Sequence, residues 1–162
     1  MHIVNIQAQH YPEIANIYLE GIVTGNATFE TKAPTWVFWD ANHLQHSRLA
    51  LFYKNNLVGW AALSAVSSRC VYKGVAEVSI YIANNFRGKG FGKFLMQQLI
   101  SESEKNNLWT LQAGIFPENI GSIKLHESSG FRIVGYKERI GQMNGTWRNN
   151  LILERRSKII GL

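Results

Sequence analysis

The sequence is poor in the features that mark several large classes of protein. It has one cysteine, Cys70, among 162 residues, which excludes an internal disulfide framework and most cysteine-rich metal sites. No apolar run approaches the roughly 18 to 20 residues that a membrane-spanning helix needs. The N-terminal stretch MHIVNIQAQHYPEI also lacks the layout of a signal peptide. We therefore expect a cytoplasmic protein with no membrane partner.

Acidic residues are scarce as well, because 17 lysines and arginines face 11 aspartates and glutamates, giving a net charge of +6. Such a balance suits nucleic acid, an anionic surface or a phosphorylated small molecule. The basic residues form no long run, and no stripe combines them with aromatic residues on one exposed face. Both observations argue against a nucleic-acid partner.

The chain has no internal repeat or linker, so we expect residues 1–162 to form a single domain. Hydrophobic periodicity predicts the order β-α-α-β-β-β-α-β-α-β-β, a mixed α/β (α+β) sheet with helices on its faces. The second helix is expected over 35–47, and the dipeptides Asn55-Asn56 and Asn144-Gly145 are expected to turn two hairpins. A strand is expected over 75–82 and a helix over 119–129, which Gly130 ends.

The densest signal is NNFRGKGFGKFLMQQLI, residues 84–100, where glycines and cations alternate between a strand and a helix. Free backbone amides and a positive dipole at a helix N-terminus bind phosphate, and glycine leaves the approach open. A P-loop needs four residues between its glycines and then Lys-Ser or Lys-Thr. Here only three residues separate Gly88 from Gly92, and Phe94 follows Lys93 in place of serine or threonine. A dinucleotide-binding fingerprint fails too, because the third glycine comes one residue early.

The pattern R-G-x-G-x-G directly after VAEVSIYI resembles the acetyl-CoA-binding motif of the GNAT superfamily of N-acetyltransferases. The segment NIGSIKLHESSGF, residues 119–131, is similar to the second signature of that family. NATFET, AEVSIYI and GQMNGTWRNN are similar to its phosphinothricin and methionine sulfoximine acetyltransferase branch. The resemblance implies a mostly antiparallel sheet with splayed fourth and fifth strands, and acetyl-CoA as co-substrate. It also implies acetylation of the amino group of a small amino acid or analogue.

The resemblance assigns cofactor contacts to the strand, the turn and the second signature. These are Ile80, Tyr81, Ile82, Arg87, Gly88, Lys89, Gly90, Phe91, Gly92, Lys93, Asn119 and Ser122. Asn119 is equally suited to cap a helix, and both roles can hold together. By the same resemblance, Thr28, Phe29, Glu30 and Trp147 would line the acceptor pocket. Without the resemblance, Phe29 and Trp147 would be interpreted as aromatic residues of the core or of an interface.

Arg69 and Tyr72 precede the strand over 75–82, where a guanidinium could bind a substrate carboxylate through two hydrogen bonds. A solvated loop arginine is the alternative. His43 and His46 have a spacing that could hold a metal, but no third ligand is evident, so we expect no metal.

Glu77 is the first candidate catalytic residue. Strand alternation places it on one face with Val75, Ser79 and Tyr81. A carboxylate is unfavourable in a strand by propensity and by burial, and the resemblance makes Glu77 the base that removes the proton of the amine. A solvated edge position or a structural ion pair is the alternative.

His126 is the second candidate, one helical turn after Ser122. Many members of the superfamily carry a tyrosine there, and the phosphinothricin branch carries histidine. Its role as acid, base or orienting donor stays open, beside a purely structural role.

We expect direct transfer, because Cys70 lies in a loop without an evident base. The alternatives are acetylation of a protein N-terminus or another amine, and a non-catalytic acyl-CoA-binding or nucleic-acid-binding module. Relatives of this branch are typically dimers, so the resemblance implies a homodimer. Apolar residues near the C-terminal hairpin suit its interface, namely Trp147, Leu151, Ile152 and Leu153.

Overall fold

The chain forms one seven-stranded sheet with helices on both faces in this computed structural model, which describes residues 1–162. The strands are β1 (His2–Asn5), β2 (Leu49–Tyr53), β3 (Asn56–Ala65), β4 (Val75–Ile82), β5 (Thr110–Ile115), β6 (Arg132–Met143) and β7 (Thr146–Arg156). The helices are α1 (Tyr11–Val23), α2 (Trp36–Asn42), α3 (Phe91–Lys105) and α4 (Ile120–Glu127). The predicted order of strands and helices is confirmed. None of the helices combines the length and apolarity that crossing a membrane requires.

Two apolar layers cover the sheet, one on each face. Helices α1 and α2 pack on one face through a cluster that includes Ile14, Trp39 and Trp60. The larger cluster joins α3 to the other face and includes Leu95 and Leu99. Leu125 of α4 packs against the same cluster. We call these two faces the α1 face and the α3 face.

The strands lie in the order β1-β2-β3-β4-β5-β7-β6, and only β4 and β5 are parallel. Their pairing covers Val75–Glu77 against Thr110–Gln112 and then stops. Beyond that point β4 continues against β3, and β5 continues against β7. The two strands therefore diverge, which confirms the predicted splay and opens a cleft in the middle of the sheet.

The alternation predicted for β4 is also confirmed. Ala76 and Val78 are buried in the α3-face cluster, whereas Glu77 is exposed. Tyr81 contributes to the α1-face cluster and stacks on Trp60 at 4.9 Å.

One hairpin turn lies where the sequence predicts it, and the other is displaced by one residue. Asn144 and Gly145 have φ of 50° and 78°, as a tight two-residue turn requires. The β2–β3 turn uses Lys54 and Asn55, with φ of 48° and 66°, instead of Asn55-Asn56. Asn56 is not available for the turn because it pairs with Tyr53 as the first residue of β3.

Helix α2 is shorter than the predicted 35–47. Thr35 caps its start by accepting a hydrogen bond from Phe38 N. The chain becomes extended at His43, with φ −115° and ψ 151°. The buried Arg48 guanidinium then binds the carbonyls of Asp40, His43 and Leu44. The Arg48 side chain thus donates hydrogen bonds to carbonyls that would accept from backbone amides in a longer helix.

Candidate active site

The divergence of β4 and β5 opens into a cleft of about 1170 Å³. Its walls come from β4, β5, α1, α4 and the glycine-rich turn. Lining cations come from the turn, the start of α3 and α4, namely Arg87, Lys93 and Lys124. Lining carboxylates come from the loop after α1, from β4 and from the β5–α4 connection, namely Glu30, Glu77 and Glu118. The cleft therefore offers groups of both charges to a ligand.

The glycine-rich turn leaves a run of backbone amides without partners. Gly88 and Gly90 have φ of 72° and 86°, and Gly90 is the N-cap of α3. The first hydrogen bond of this helix runs from Phe94 N to Gly90 O, and the amides of residues 88–93 have no acceptor within the chain. A Cβ at Gly88 or Gly90 would meet nothing within 4 Å, so the turn is open to a ligand. This arrangement suits an anion such as phosphate.

Ten of the twelve predicted cofactor residues line the cleft, and Lys89 and Phe91 do not. Lys89 Nζ donates to Asn85 O at 2.7 Å, which turns this side chain back over the loop. The Phe91 ring is buried in the α3-face cluster, because it is the first apolar residue of α3. Any contact from these two residues would come through the backbone.

Glu77 is the last residue of β4 that pairs with β5, so it stands where the cleft begins. It is exposed, and its carboxylate makes no hydrogen bond or ion pair within the chain. The expected conflict between a strand carboxylate and burial does not arise, because the strands separate at this position. Glu77 therefore does not form the structural ion pair that was the alternative.

His126 is buried, with 2% of its surface exposed, and it packs edge-on against Phe131 at 4.9 Å. Its Nδ1 lies 2.8 Å from Ser122 O. A carbonyl only accepts, so Nδ1 carries the proton and Nε2 has the free lone pair. Nε2 is buried and has no partner. Burial lowers the pKa of His126, which favours the neutral imidazole. As it stands, Nε2 can accept a proton but cannot donate one.

Asn119 caps α4, since its Oδ1 accepts from Ser122 N at 3.2 Å. Its Nδ2 donates to Asn26 O at 3.0 Å, so the amide also ties α4 to the loop after α1. The capping interpretation is confirmed, and Asn119 lines the cleft as well.

Arg148 on β7 holds the same loop, although in the motif that contains it, GQMNGTWRNN, sequence reasoning assigned a role only to Trp147. Its guanidinium donates to Gly25 O at 2.9 Å and to Asn26 Oδ1 at 2.8 Å. It also lies 3.3 Å from Glu118 Oε2 and 4.2 Å from the centre of the Phe116 ring. A lone arginine in a strand reads as a solvated residue, and only the fold brings these partners to it.

The predicted acceptor residues divide into two groups. Thr28, Phe29 and Glu30 line the cleft. Arg69, Tyr72 and Trp147 do not line it in this structure and are exposed. Arg69 instead lies 5.6 Å from the Tyr72 ring in the β3–β4 loop.

Tyr18 of α1 also lines the cleft, although the sequence did not single it out. It packs edge-on against Tyr81 at 4.9 Å and lies within hydrogen-bond reach of Thr28 Oγ1 at 3.3 Å. Burial raises the pKa of both tyrosines, so their hydroxyls stay protonated near neutral pH.

Comparison with known proteins agrees with this geometry. The Acetyltransferase (GNAT) family model matches residues 11–131. A Bacillus subtilis protein described as a candidate phosphinothricin acetyltransferase is 31% identical over 82% of this chain and 84% of its own length. An L-methionine sulfoximine/L-methionine sulfone acetyltransferase of Pseudomonas paraeruginosa is 38% identical. That match spans less than half of either protein, 47% of this chain and 44% of the relative.

The fold is shared with a solved structure named as a ribosomal-protein-alanine N-acetyltransferase from Brucella melitensis. The two superpose with a TM-score of 0.90 at 26% identity, over 97% of this chain and 100% of the other. Because the family model covers most of the chain, including β4, the glycine-rich turn and α4, the chain belongs to the GNAT family of acetyltransferases.

Proposed function

We propose that residues 1–162 act as one domain that transfers the acetyl group of acetyl-CoA directly to the amino group of a small amino acid or analogue. Phosphinothricin, methionine sulfoximine and methionine sulfone are the acceptors that the names of the matched relatives support. The main support for this proposal is that one cleft contains both the backbone amides of residues 88–93, which have no acceptor, and the carboxylate of Glu77, which has no partner. The reaction is assigned to the cytoplasm, in keeping with the single cysteine.

The residues of the turn and of β4 fit the cofactor. The amides of residues 88–93, the positive end of α3, and Arg87 and Lys93 suit the phosphates of CoA. The edge of β4 beyond Glu77 has no β5 partner, so its amides and carbonyls can bind the amide-containing arm of CoA. Gly88 and Gly90 leave the approach to the turn unobstructed.

Glu77 is the group that prepares the acceptor. An α-ammonium has a pKa of roughly 7.7 to 8.0 in peptides, so most of it lacks a free lone pair at neutral pH. The exposed carboxylate of Glu77 attracts this cation and takes its proton, directly or through a water. The resulting amine can then attack the thioester carbonyl carbon.

His126 handles the second proton. Attack gives an intermediate that carries a positive nitrogen and a negative oxygen. His126 Nε2, with its free lone pair, accepts a proton from that nitrogen. The C–S bond then breaks with its electron pair on sulfur, and the imidazolium returns the proton to the thiolate. The products are the N-acetyl compound and CoA.

The test is a turnover assay that detects free CoA thiol. The panel holds free amino acids, methionine sulfoximine, methionine sulfone, phosphinothricin, peptides that begin with alanine, and polyamines. We expect turnover with the free amino-acid analogues. Turnover confined to peptides would overturn the proposed acceptor while leaving the acetyl transfer intact, and no turnover with any amine would overturn both.

We also propose a homodimer, supported by apolar side chains exposed on the β6–β7 hairpin. They include Tyr136, Ile140 and Trp147, which are 56%, 53% and 58% exposed. Leu153 is fully buried and Leu151 packs against the α3-face cluster, so neither is available for the interface that the sequence suggested.

A further inference from the structure

Asn150 on β7 lines the cleft and carries a buried side-chain oxygen, Oδ1, that has no hydrogen-bond partner. Only four side-chain atoms in the chain are in this condition. Two are the indole nitrogens of Trp39 and Trp60, which lie within the aromatic α1-face cluster. The other two, Asn150 Oδ1 and His126 Nε2, both belong to residues that line the cleft.

The strand register places Asn150 on the same face of the sheet as Glu77. Glu77 pairs with Gln112, and Gly114 follows two residues later on the same face of β5. Gly114 pairs with Ile152, which shares its face with Asn150. This is the α1 face, because Tyr81, four residues after Glu77 on β4, packs in the α1-face cluster.

Gly114 lies directly beside the Asn150 amide. A Cβ at Gly114 would come within 3.2 Å of Asn150 Nδ2 and 3.4 Å of Oδ1. A larger residue at this position would therefore crowd the amide. Because Gly114 has no side chain, the Asn150 amide can lie close against the backbone of β5 in the wall of the cleft.

A buried acceptor without a partner is unfavourable, and the loss is recovered when a ligand supplies a donor. The thioester carbonyl has no N–H or O–H, so it cannot serve. The amino group of the acceptor can, since it carries N–H donors and must lie near Glu77. We infer that Asn150 Oδ1 accepts a hydrogen bond from the attacking amine and so orients its lone pair toward the thioester. This inference rests on the proposed acetyl transfer to an amine.

The experiment compares Asn150→Ala, Asn150→Asp and Gly114→Ala with the wild type. We expect Asn150→Ala to lower kcat/KM for the acceptor by about tenfold to a hundredfold, with acetyl-CoA affinity unchanged. Asn150→Asp keeps an accepting oxygen and should retain more activity than Asn150→Ala. Gly114→Ala should lower the same parameter less, by displacing the amide.

Thermal unfolding separates this role from a structural one. Loss of an unpartnered carbonyl should leave the Tm of Asn150→Ala close to that of the wild type. The matched control is Asn149→Ala, because Asn149 is the neighbour on β7 that does not line the cleft and binds Arg139 N at 2.8 Å. That variant should keep the wild-type kcat/KM for the acceptor.

Wild-type acceptor kinetics in Asn150→Ala would overturn the inference and leave the proposed function standing. So would an Asn150→Asp variant no better than Asn150→Ala, because the amide nitrogen would then be the important atom. A wild-type protein that acetylates no amine in the panel would overturn both proposals together.

Discussion

Glu77 and His126 bring opposite kinds of group to the cleft, an exposed carboxylate and a buried neutral imidazole. Sequence reasoning could find both, because each stands inside a recognisable motif. The motif GQMNGTWRNN includes Asn150, but only the fold shows that this residue lines the cleft beside Gly114. Sequence reasoning could not give the tautomer of His126, which depends on the carbonyl that Nδ1 meets.

Replacement of Glu77 by glutamine keeps the shape of the side chain and removes its charge and basicity. We expect turnover to fall by about 10²- to 10⁴-fold, the usual contribution of a general base. Acetyl-CoA affinity should change little. High pH should restore part of the activity, because the free amine is then already present. Steady-state kinetics from pH 6 to pH 10 would measure this.

Glu127→Gln is the matched control, since Glu127 is an exposed carboxylate on α4 that does not line the cleft. Wild-type turnover of Glu77→Gln across the pH range would mean that Glu77 is structural, and His126 would become the next candidate base.

Burial of His126 predicts a dependence of stability on pH. Its pKa is lowered in the folded protein, whereas an unfolded histidine has a pKa of about 6.5. Below that pH the unfolded chain binds more protons, so the free energy of unfolding must fall as the pH falls. One such group contributes a slope of at most about 1.4 kcal/mol per pH unit.

The pKa values of His43 and His46 are lowered by burial as well, so they add to the same slope. Urea unfolding of the wild type and of His126→Gln between pH 5 and pH 8 would isolate one contribution. We expect the variant to lose less stability toward pH 5. Parallel curves would show that His126 is not buried in its neutral form.

At the scale of helices and strands, sequence periodicity predicted which elements form but not where each one ends. Apolar spacing is local, so the order of strands and helices and the alternation along β4 could be predicted. The end of α2 could not, because Arg48 reaches back from the start of β2 to bind the carbonyls of Asp40, His43 and Leu44. The β2–β3 turn was misplaced because cross-strand pairing decides which residue begins β3.

The turn before α3 gives a prediction for Gly90→Val. Valine is strained at φ 86°, and its side chain would occupy the space from which a phosphate approaches the amides. We expect acetyl-CoA affinity to fall at least about tenfold by calorimetry, with the fold retained.

Gly145→Val controls for the strain alone. Gly145 also has positive φ, 78°, and open space around it, but it lies at the tip of the β6–β7 hairpin. This variant should lose stability like Gly90→Val and keep its acetyl-CoA affinity. Unchanged affinity in a folded Gly90→Val protein would exclude the turn as the phosphate site.

For the whole molecule, the exposed apolar side chains of the hairpin predict association of two copies. We expect light scattering at micromolar concentration to give twice the mass of the 18.4 kDa chain. Replacement of Ile140 and Trp147 by lysine should shift the mass toward that of one chain, since charge opposes burial at an apolar interface. Val23→Lys is the control, because Val23 is 85% exposed on α1, away from the hairpin. A wild-type mass of one chain would contradict the dimer.

The two apolar layers also bear on the order in which the substrates add. Glu77 and Asn150 face the α1 layer, whereas the glycine-rich turn leads into α3 on the opposite face. An amine and acetyl-CoA would thus enter the cleft from different sides, and neither would obstruct the other. CoA should then compete only with acetyl-CoA, and the N-acetyl product should compete only with the free amine. Each product should inhibit independently of the other.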